Sequence, residues 1–343
     1  MNLPLKPPLP PMEASQADTL PEGAEWQYEP KWDGFRCIVF RDGDEIELQS
    51  KAGKPLGRYF PDVIESVRAI GAQKFVLDGE IVIPVGQTLS FEELLQRVHP
   101  AESRVRKLAA ANPALFVAFD LLLTERGKDL TSKMLVERRE RLESFAERYF
   151  VGAGVHLSPR TNDIAVARKW LTSVKTGLDG VVAKNTELPY TNNERSAMVK
   201  VKALRTADCV VGGFRYASKG KLVGSLLLGL YDDDGLLHHV GFTSSFRNDQ
   251  KQALTEMIEA LGKGAGFTGK APGGPSRWST ERSGQWEPLP PSLVVEVQYD
   301  HFSEGRFRHG TRFLRWRPDK EPAQCTFEQV RKHAGNSLAL LQG

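Results

Sequence analysis

Cysteine is scarce: Cys37, Cys209 and Cys325 are the only three in 343 residues. They stand far apart and show no C-x-x-C spacing, so neither a disulfide framework nor a cysteine zinc site is expected. Long apolar runs are missing too. None approaches the ~20 residues of a bilayer-spanning helix. The N-terminus lacks the charged, apolar and cleavage regions of a secretory signal, so a cytoplasmic location is expected. Charge of one sign is also lacking, for the formal net charge is only +3. No internal repeat is visible.

The bulk composition, with 40% hydrophobic and 26% charged residues, is that of an ordinary globular protein. The length suggests two domains at ~100–200 residues each. Charge is unevenly distributed. Between Arg195 and Lys221 the basic residues are Arg195, Lys200, Lys202, Arg205, Arg215, Lys219 and Lys221, against the single acid Asp208. Such a segment suits a polyphosphate partner.

Residues 1–23 are proline-rich and aperiodic, an extended lead-in packed on the first domain. Strands are expected from Trp26, over Phe35–Phe40 and Glu45–Gln49 around an Asp-Gly turn, and over Lys74–Pro84, Leu115–Leu123, Val181–Lys184 and Met198–Val201. Helices are expected after Pro61, after Ser90 (a capping box with Glu93), over Met134–Tyr149 and over Ile164–Lys175. Beyond Lys202 the texture changes to short β-runs divided by turns, with one helix at Asn248–Leu261. That pattern suggests a small β-barrel of the oligonucleotide-binding type.

The chemistry centres on Lys31-Trp32-Asp33-Gly34-Phe35-Arg36. A lysine with an ordinary pKa of ~10.4 is protonated at neutral pH and cannot attack. As a nucleophile toward phosphorus it needs that value lowered by burial or by nearby cations, for which Lys184, Lys200 and Lys202 are candidates. The same pattern also fits a lysine paired with Asp33 at a strand end. Glu80, in Leu77-Asp78-Gly79-Glu80, suits a ribose hydroxyl or a metal, and equally an ordinary strand-end acid. Phe119 suits a purine stack or plain core packing. Lys200 and Lys202 lie two apart on a strand and share a face. Arg312, Arg315, Arg317 and Lys320 form a basic C-terminal cluster that also fits a solvated barrel rim.

In their order these pieces resemble the ATP-dependent DNA ligases of the covalent nucleotidyltransferase superfamily, most of all the short bacterial repair-type (ligase C-like) catalytic cores. KWDGFR is similar to the nucleophile motif. LDGEIV, the Phe119-Asp120 strand, DGVVAK and MVKVK are similar to the nucleotide-pocket motifs, and RWRPDK to the terminal motif. The resemblance implies an α+β fold. An ATP-grasp-like adenylation domain of antiparallel sheets and helices (1–203) is followed by an OB-fold β-barrel (204–343).

The resemblance also implies ATP with Mg²⁺ or Mn²⁺ as cofactors. Lys31 becomes the adenylated nucleophile, with Asp33, Arg36, Lys200 and Lys202 as the other catalytic residues. Glu29, Trp32, Lys51, Phe119 and Arg312 hold the nucleotide, Glu80 the ribose, Arg36 the ribose or the 5′-phosphate at the nick, Lys184, Lys200 and Lys202 the phosphates, and Arg317, Asp319 and Lys320 the departing pyrophosphate. Glu80, Asp179 and Asp33 hold the metal. Departures from the family pattern are Lys51 for arginine, Asp179 for glutamate and Met198 for tryptophan. The implied activity is nick sealing in DNA repair by a monomer associated with the nucleoid. Nicked double-stranded DNA and other DNA-repair proteins are its partners, and no membrane. With 30 residues before Lys31, no separate N-terminal DNA-binding domain is expected, and the Gly262–Pro291 loop is a candidate clamp. An RNA ligase, a GTP-using capping enzyme and a non-catalytic nick-binding module are the alternatives.

Overall fold

The computed structural model describes residues 1–152, 154–172, 178–218, 220–273, 285–331 and 336–341. Lys219 and the middle of the expected clamp loop lie outside them. The chain forms two compact units, Met1–Ala203 with His333–Gly343, and Leu204–Lys332.

The first unit is built on two antiparallel-rich sheets. One orders its strands Glu45–Ser50, Phe35–Asp42, Lys74–Val82, Leu115–Leu123 and Val155–Leu157. Its hairpin turns at Gly43, whose φ of +62° needs glycine. One face of this sheet buries Val39, Leu77, Ile81 and Phe116 with Val63 and Val67 of the helix Pro61–Ala69 and Leu142 and Phe145 of the helix Leu135–Tyr149. The other sheet orders Ser15–Gln16, Met198–Lys202, Gly180–Asn185 and Trp26–Lys31.

The lead-in crosses both sheets as a strap. Leu3, Leu9 and Met12 are buried with Ile38, Phe40 and Met198. Having no helix or hairpin of its own, the strap is tied by borrowed partners. Leu9 exchanges two hydrogen bonds of 2.7 Å with the Gln49 amide, and the Met12 N–H donates to the Tyr190 hydroxyl at 3.1 Å.

In the second unit the strands run Leu237–Thr243, Val223–Tyr231, Arg205–Tyr216, Val294–Tyr299 and Arg312–Trp316, all antiparallel. Thr243 bridges Thr311, and its hydroxyl donates to the Thr311 carbonyl at 3.0 Å. One bridge thereby joins the two end strands of the sheet, as in a partly open barrel. The helix Lys251–Ala260 packs Leu254 and Ile258 onto this core.

One expectation needs correction. The last residues do not group with the barrel: His333–Gly343 belongs to the first unit. Leu340 and Leu341 pack there against the cluster of Leu20, Tyr28, Trp32 and Trp170, and apolar burial of this kind holds a tail that has no strand partner.

Candidate active site

The four-stranded sheet sorts its side chains by alternation. Lys31 stands opposite Gly180, Glu29 opposite Val182, and Gln27 opposite Lys184. Across the next ladder Lys202, Lys200 and Met198 oppose those same three residues. Gln27, Glu29, Lys31, Lys184, Lys200 and Lys202 therefore share one face. The opposite face is apolar: Tyr28, Val181, Ala183 and Val201 bury against Ala167 and Trp170 of the helix Ile164–Thr172. One amphipathic sheet thus supplies both a core and a polar floor.

Lys31 ends its strand with its ammonium paired to Asp179. The Asp179 N–H also donates to the Lys31 carbonyl at 3.3 Å. Burial pulls the Lys31 pKa down, but Asp179, Glu80 and Asp33 together outweigh it, and the net shift is upward. This corrects the expectation of a lowered lysine. The cations do converge, but on Lys200: burial and then Lys31, Lys51, Lys202 and Arg195 lower its pKa.

Glycines allow the close approach. A Cβ on Gly34 would lie 2.2 Å from the Ile81 carbonyl oxygen and 2.8 Å from Glu80 Cγ. Gly34→Ala should destabilise the protein by roughly 1–3 kcal/mol by pushing on Ile81 and Glu80, and thermal melting checks it. Glu80 itself is pushed up to about 7 by burial, against the pull of Arg36 and Lys31.

Phe119 is placed by a β-bulge. Gly79 pairs with Ala118 and Asp78 with Asp120, so Phe119 is the extra residue. Ala118 and Leu121, three apart, consequently face the same core, and the bulge re-aims the residue between them. Arg36 Cζ lies 4.5 Å and Lys184 Nζ 4.3 Å from the Phe119 ring centroid. Lys184 is buried and pairs with Glu29 Oε1 at 2.9 Å, and burial lowers its pKa. The Gln27 amide donates to the same oxygen at 2.8 Å. Lys184 thus serves Glu29 and Phe119, while Lys200 and Lys202 lie toward Lys31.

Several residues here carry no signal in a single sequence. Asp78, fully buried, holds the Arg36 guanidinium and accepts from the Tyr190 hydroxyl at 2.6 Å. Asp120 takes a bidentate pair from Arg138, both bonds 2.9 Å. The Trp32 indole donates to the Ser158 hydroxyl at 3.0 Å, and Arg139 Nη2 to the Ser158 carbonyl at 2.8 Å. Arg139 Nη1 lies 3.9 Å from Glu29 Oε1 and has no hydrogen-bond partner. These long-range pairings arise only once the sheets are formed.

Within the second unit, Asp208 collects the C-terminal motif. Arg317 Nη1 reaches its Oδ1 at 2.9 Å and Lys320 Nζ its Oδ2 at 2.7 Å, and Arg317 also pairs with Asp319. Arg312 is exposed on its strand. The one acid of the basic segment is therefore the counterion of that motif.

Residues 11–202 match the ATP dependent DNA ligase domain, and residues 219–320 the ATP dependent DNA ligase C terminal region. The chain belongs to the ATP-dependent DNA ligases. This ligase is 44% identical over 341 residues to DNA ligase C1 of Mycolicibacterium smegmatis, covering 96% of each chain. It is 41% identical over 359 residues to DNA ligase C of Mycobacterium tuberculosis, covering 99% of this chain and 98% of that one. Among solved structures, mycobacterial DNA ligase D complexed with ATP and MES matches with a TM-score of 0.50 and 26% identity, over 93% of this chain and 98% of that one. The ligase is thus an ATP-using enzyme of α+β architecture that joins DNA. Among the described residues no helix is long and apolar enough to cross a membrane.

Proposed function

We propose that this ligase seals nicks through a covalent lysyl-AMP on Lys31. The observation that carries the reading is the setting of Lys31. A lysine at a strand end shares a polar sheet face with Lys200 and Lys202, and Asp179, Glu80 and Asp33 act on it. The Lys31 amine, having lost its proton, attacks the α-phosphorus of ATP. A P–N bond forms, the α–β bridging P–O bond breaks, and pyrophosphate leaves with the electron pair. A 5′-phosphate oxygen at a nick then attacks the adenylyl phosphorus, the P–N bond breaks with its electron pair returning to the Lys31 amine, and a 5′–5′ pyrophosphate linkage forms. The adjacent 3′-hydroxyl then attacks the 5′-phosphate of the nick, and AMP departs.

Lys200 and Lys202 neutralise phosphate oxygens during the first transfer. Glu80 takes the ribose. Glu29, held by Lys184 and Gln27, and Phe119, beside Arg36 and Lys184, take the base. Arg36, beside Phe119, takes the ribose or the 5′-phosphate at the nick, Trp32 backs the sheet from its apolar face, and Arg317 and Lys320 are assigned to pyrophosphate, with Arg312 as a further nucleotide contact. Among the described residues no three His, Cys, Asp or Glu side chains form a metal cage. Mg²⁺, or Mn²⁺, would therefore draw on the substrate phosphates as well as on protein carboxylates. Asp179, Glu80 and Asp33 would hold it, and it would supply charge neutralisation.

DNA affinity rests on phosphate contacts, so it should fall with salt by ~0.9 log units per log unit of salt for each neutralised phosphate. Titration of nicked duplex across a salt series measures that slope. We assign the enzyme to DNA repair, as a monomer at the nucleoid in the cytoplasm, working with other repair proteins. Incubation with α-labelled ATP and Mg²⁺, followed by nicked duplex, tests the whole reading. The label must appear on Lys31 and then leave as AMP while the strand closes. Protein that never gains an adenylyl group rules the reading out.

A further inference from the structure

The strap carries one acid, Glu13, to a place where two cations meet. Lys51 Nζ lies 3.0 Å from its Oε1. Arg195 reaches its Oε2 through Nε at 2.9 Å and Nη2 at 2.7 Å. Each carboxylate oxygen thus takes one cation. Lys51 follows the edge strand Glu45–Ser50 of one sheet, and Arg195 precedes the strand Met198–Lys202 of the other. The carboxylate is delivered to this junction by the strap's backbone. The Glu13 N–H donates to the Glu194 carbonyl at 3.0 Å, Met12 is tied to Tyr190, and the Ser15 hydroxyl donates to the Met198 carbonyl at 3.2 Å.

Neither cation is built into the fold. The Lys51 and Arg195 side chains are 60% and 67% exposed, against 21% for Glu13. Two exposed cations converging on the two oxygens of one carboxylate form an oxyanion site open to solvent. Both also act electrostatically on Lys200, so the site borders the phosphate-binding face. Exposed ion pairs are individually weak, so an oxyanion with further contacts elsewhere can displace the carboxylate.

We propose that Glu13 stands in the place of a phosphate on Lys51 and Arg195 until a phosphate replaces it. The strap then acts as an internal competitor. The exposure of both cations favours a backbone phosphate of DNA as the ligand, with the polyphosphate of ATP as the other source of the same chemistry. The assignment rests on the ligase reading given above.

The full chain is compared as wild type, Glu13→Gln, the double variant Lys51→Gln/Arg195→Gln, and the triple combination. Each is titrated with a 5′-phosphorylated nicked duplex across a salt series, and the KM for ATP is measured in lysyl-adenylate formation. Glu13→Gln is expected to bind the nick roughly two- to tenfold tighter, the range two exposed ion pairs allow. Its log–log salt slope should steepen by about 1–2, and the gain should vanish in the triple variant. A fall of similar size in the KM for ATP instead would assign the site to the nucleotide. Unchanged values for both, or weaker nick binding at unchanged thermal stability, overturn the proposal. So does a double variant with wild-type nick affinity and KM. A wild-type protein that fails to adenylate would sink the lysyl-adenylate reading, while the nick titration would still decide for or against the strap.

Discussion

Lys31→Ala should take up no label from α-labelled ATP and should seal no ordinary nick. The loss is expected to be complete within detection, because removing the nucleophile removes the covalent route rather than slowing it. Lysine and alanine differ here in more than nucleophilicity. The Lys31 ammonium is the partner of Asp179, whose side chain is only 12% exposed. The variant leaves that carboxylate without its cation, so a modest fall in stability accompanies the loss. The decisive comparison is a nick already carrying 5′-adenylate. Its closure needs the 3′-hydroxyl and the departure of AMP, with no nucleophilic role for Lys31, so Lys31→Ala should still close it. Labelling of the variant, or its failure on pre-adenylated nicks at full stability, would contradict the assignment in different ways. The first would place the adenylyl group elsewhere, and the second would give Lys31 a further task.

The raised Lys31 pKa adds a constraint on the first step. Burial alone would favour the free amine, but Asp179, Glu80 and Asp33 hold the ammonium. The resting side chain is therefore not yet a nucleophile at neutral pH. Arrival of the nucleotide has to weaken the pairing with Asp179 before attack. Lys200, with its pKa lowered by burial and surrounding cations, sits where added negative charge would relieve repulsion.

Much of this was legible in the sequence where the signal is local. The strand Leu115–Leu123 follows from its apolar run, and the helix Phe91–Arg97 from Ser90, whose hydroxyl accepts from the Glu93 N–H. The alternation that puts Lys200 and Lys202 on one face is local too. The helix Glu102–Ala111 was missed, and its N-cap, Ala101, makes no side-chain bond, so the usual start signal is absent. The strand Val155–Leu157 is three residues long and pairs in parallel with a strand far back in the chain. The strap has no period because its partners are Gln49, Tyr190 and Glu194. The commitment of Lys184 to Glu29 rather than to the phosphate lysines depends on register between strands more than 150 residues apart, which a motif does not encode. Of the three lysines expected to surround Lys31 with positive charge, Lys184 is taken by Glu29, and the cations that act on Lys200 include Lys51 and Arg195, which no motif brings together; Lys31 itself is held by Asp179 from a distant segment.

The largest structural effect is expected at Arg138, a residue with no motif. Its side chain is fully buried, and it forks onto Asp120, itself 3% exposed. Its Nη1 also donates to the Lys133 carbonyl at 2.6 Å, and its guanidinium carbon lies 5.6 Å from the Tyr190 ring. Arg138→Ala leaves the Asp120 carboxylate buried without a cation, a change that costs roughly 3–5 kcal/mol in comparable pairs. For a unit of about 200 residues this corresponds to a fall in melting temperature of about 6–20 °C. The cost comes from the stranded charge more than from lost attraction. Arg138→Met combined with Asp120→Asn should therefore recover much of the stability. Function should not recover with it. Asp120 adjoins the bulge that aims Phe119, and Tyr190 joins the same network to Asp78 and Arg36. The double variant is expected to melt near the wild type while its KM for ATP stays raised, because the base platform has lost the anchor that fixes its register. Melting curves and adenylylation kinetics on the single and double variants separate the two effects. If Arg138→Ala melts within about 1 °C of wild type, the buried pair does not hold the bulge.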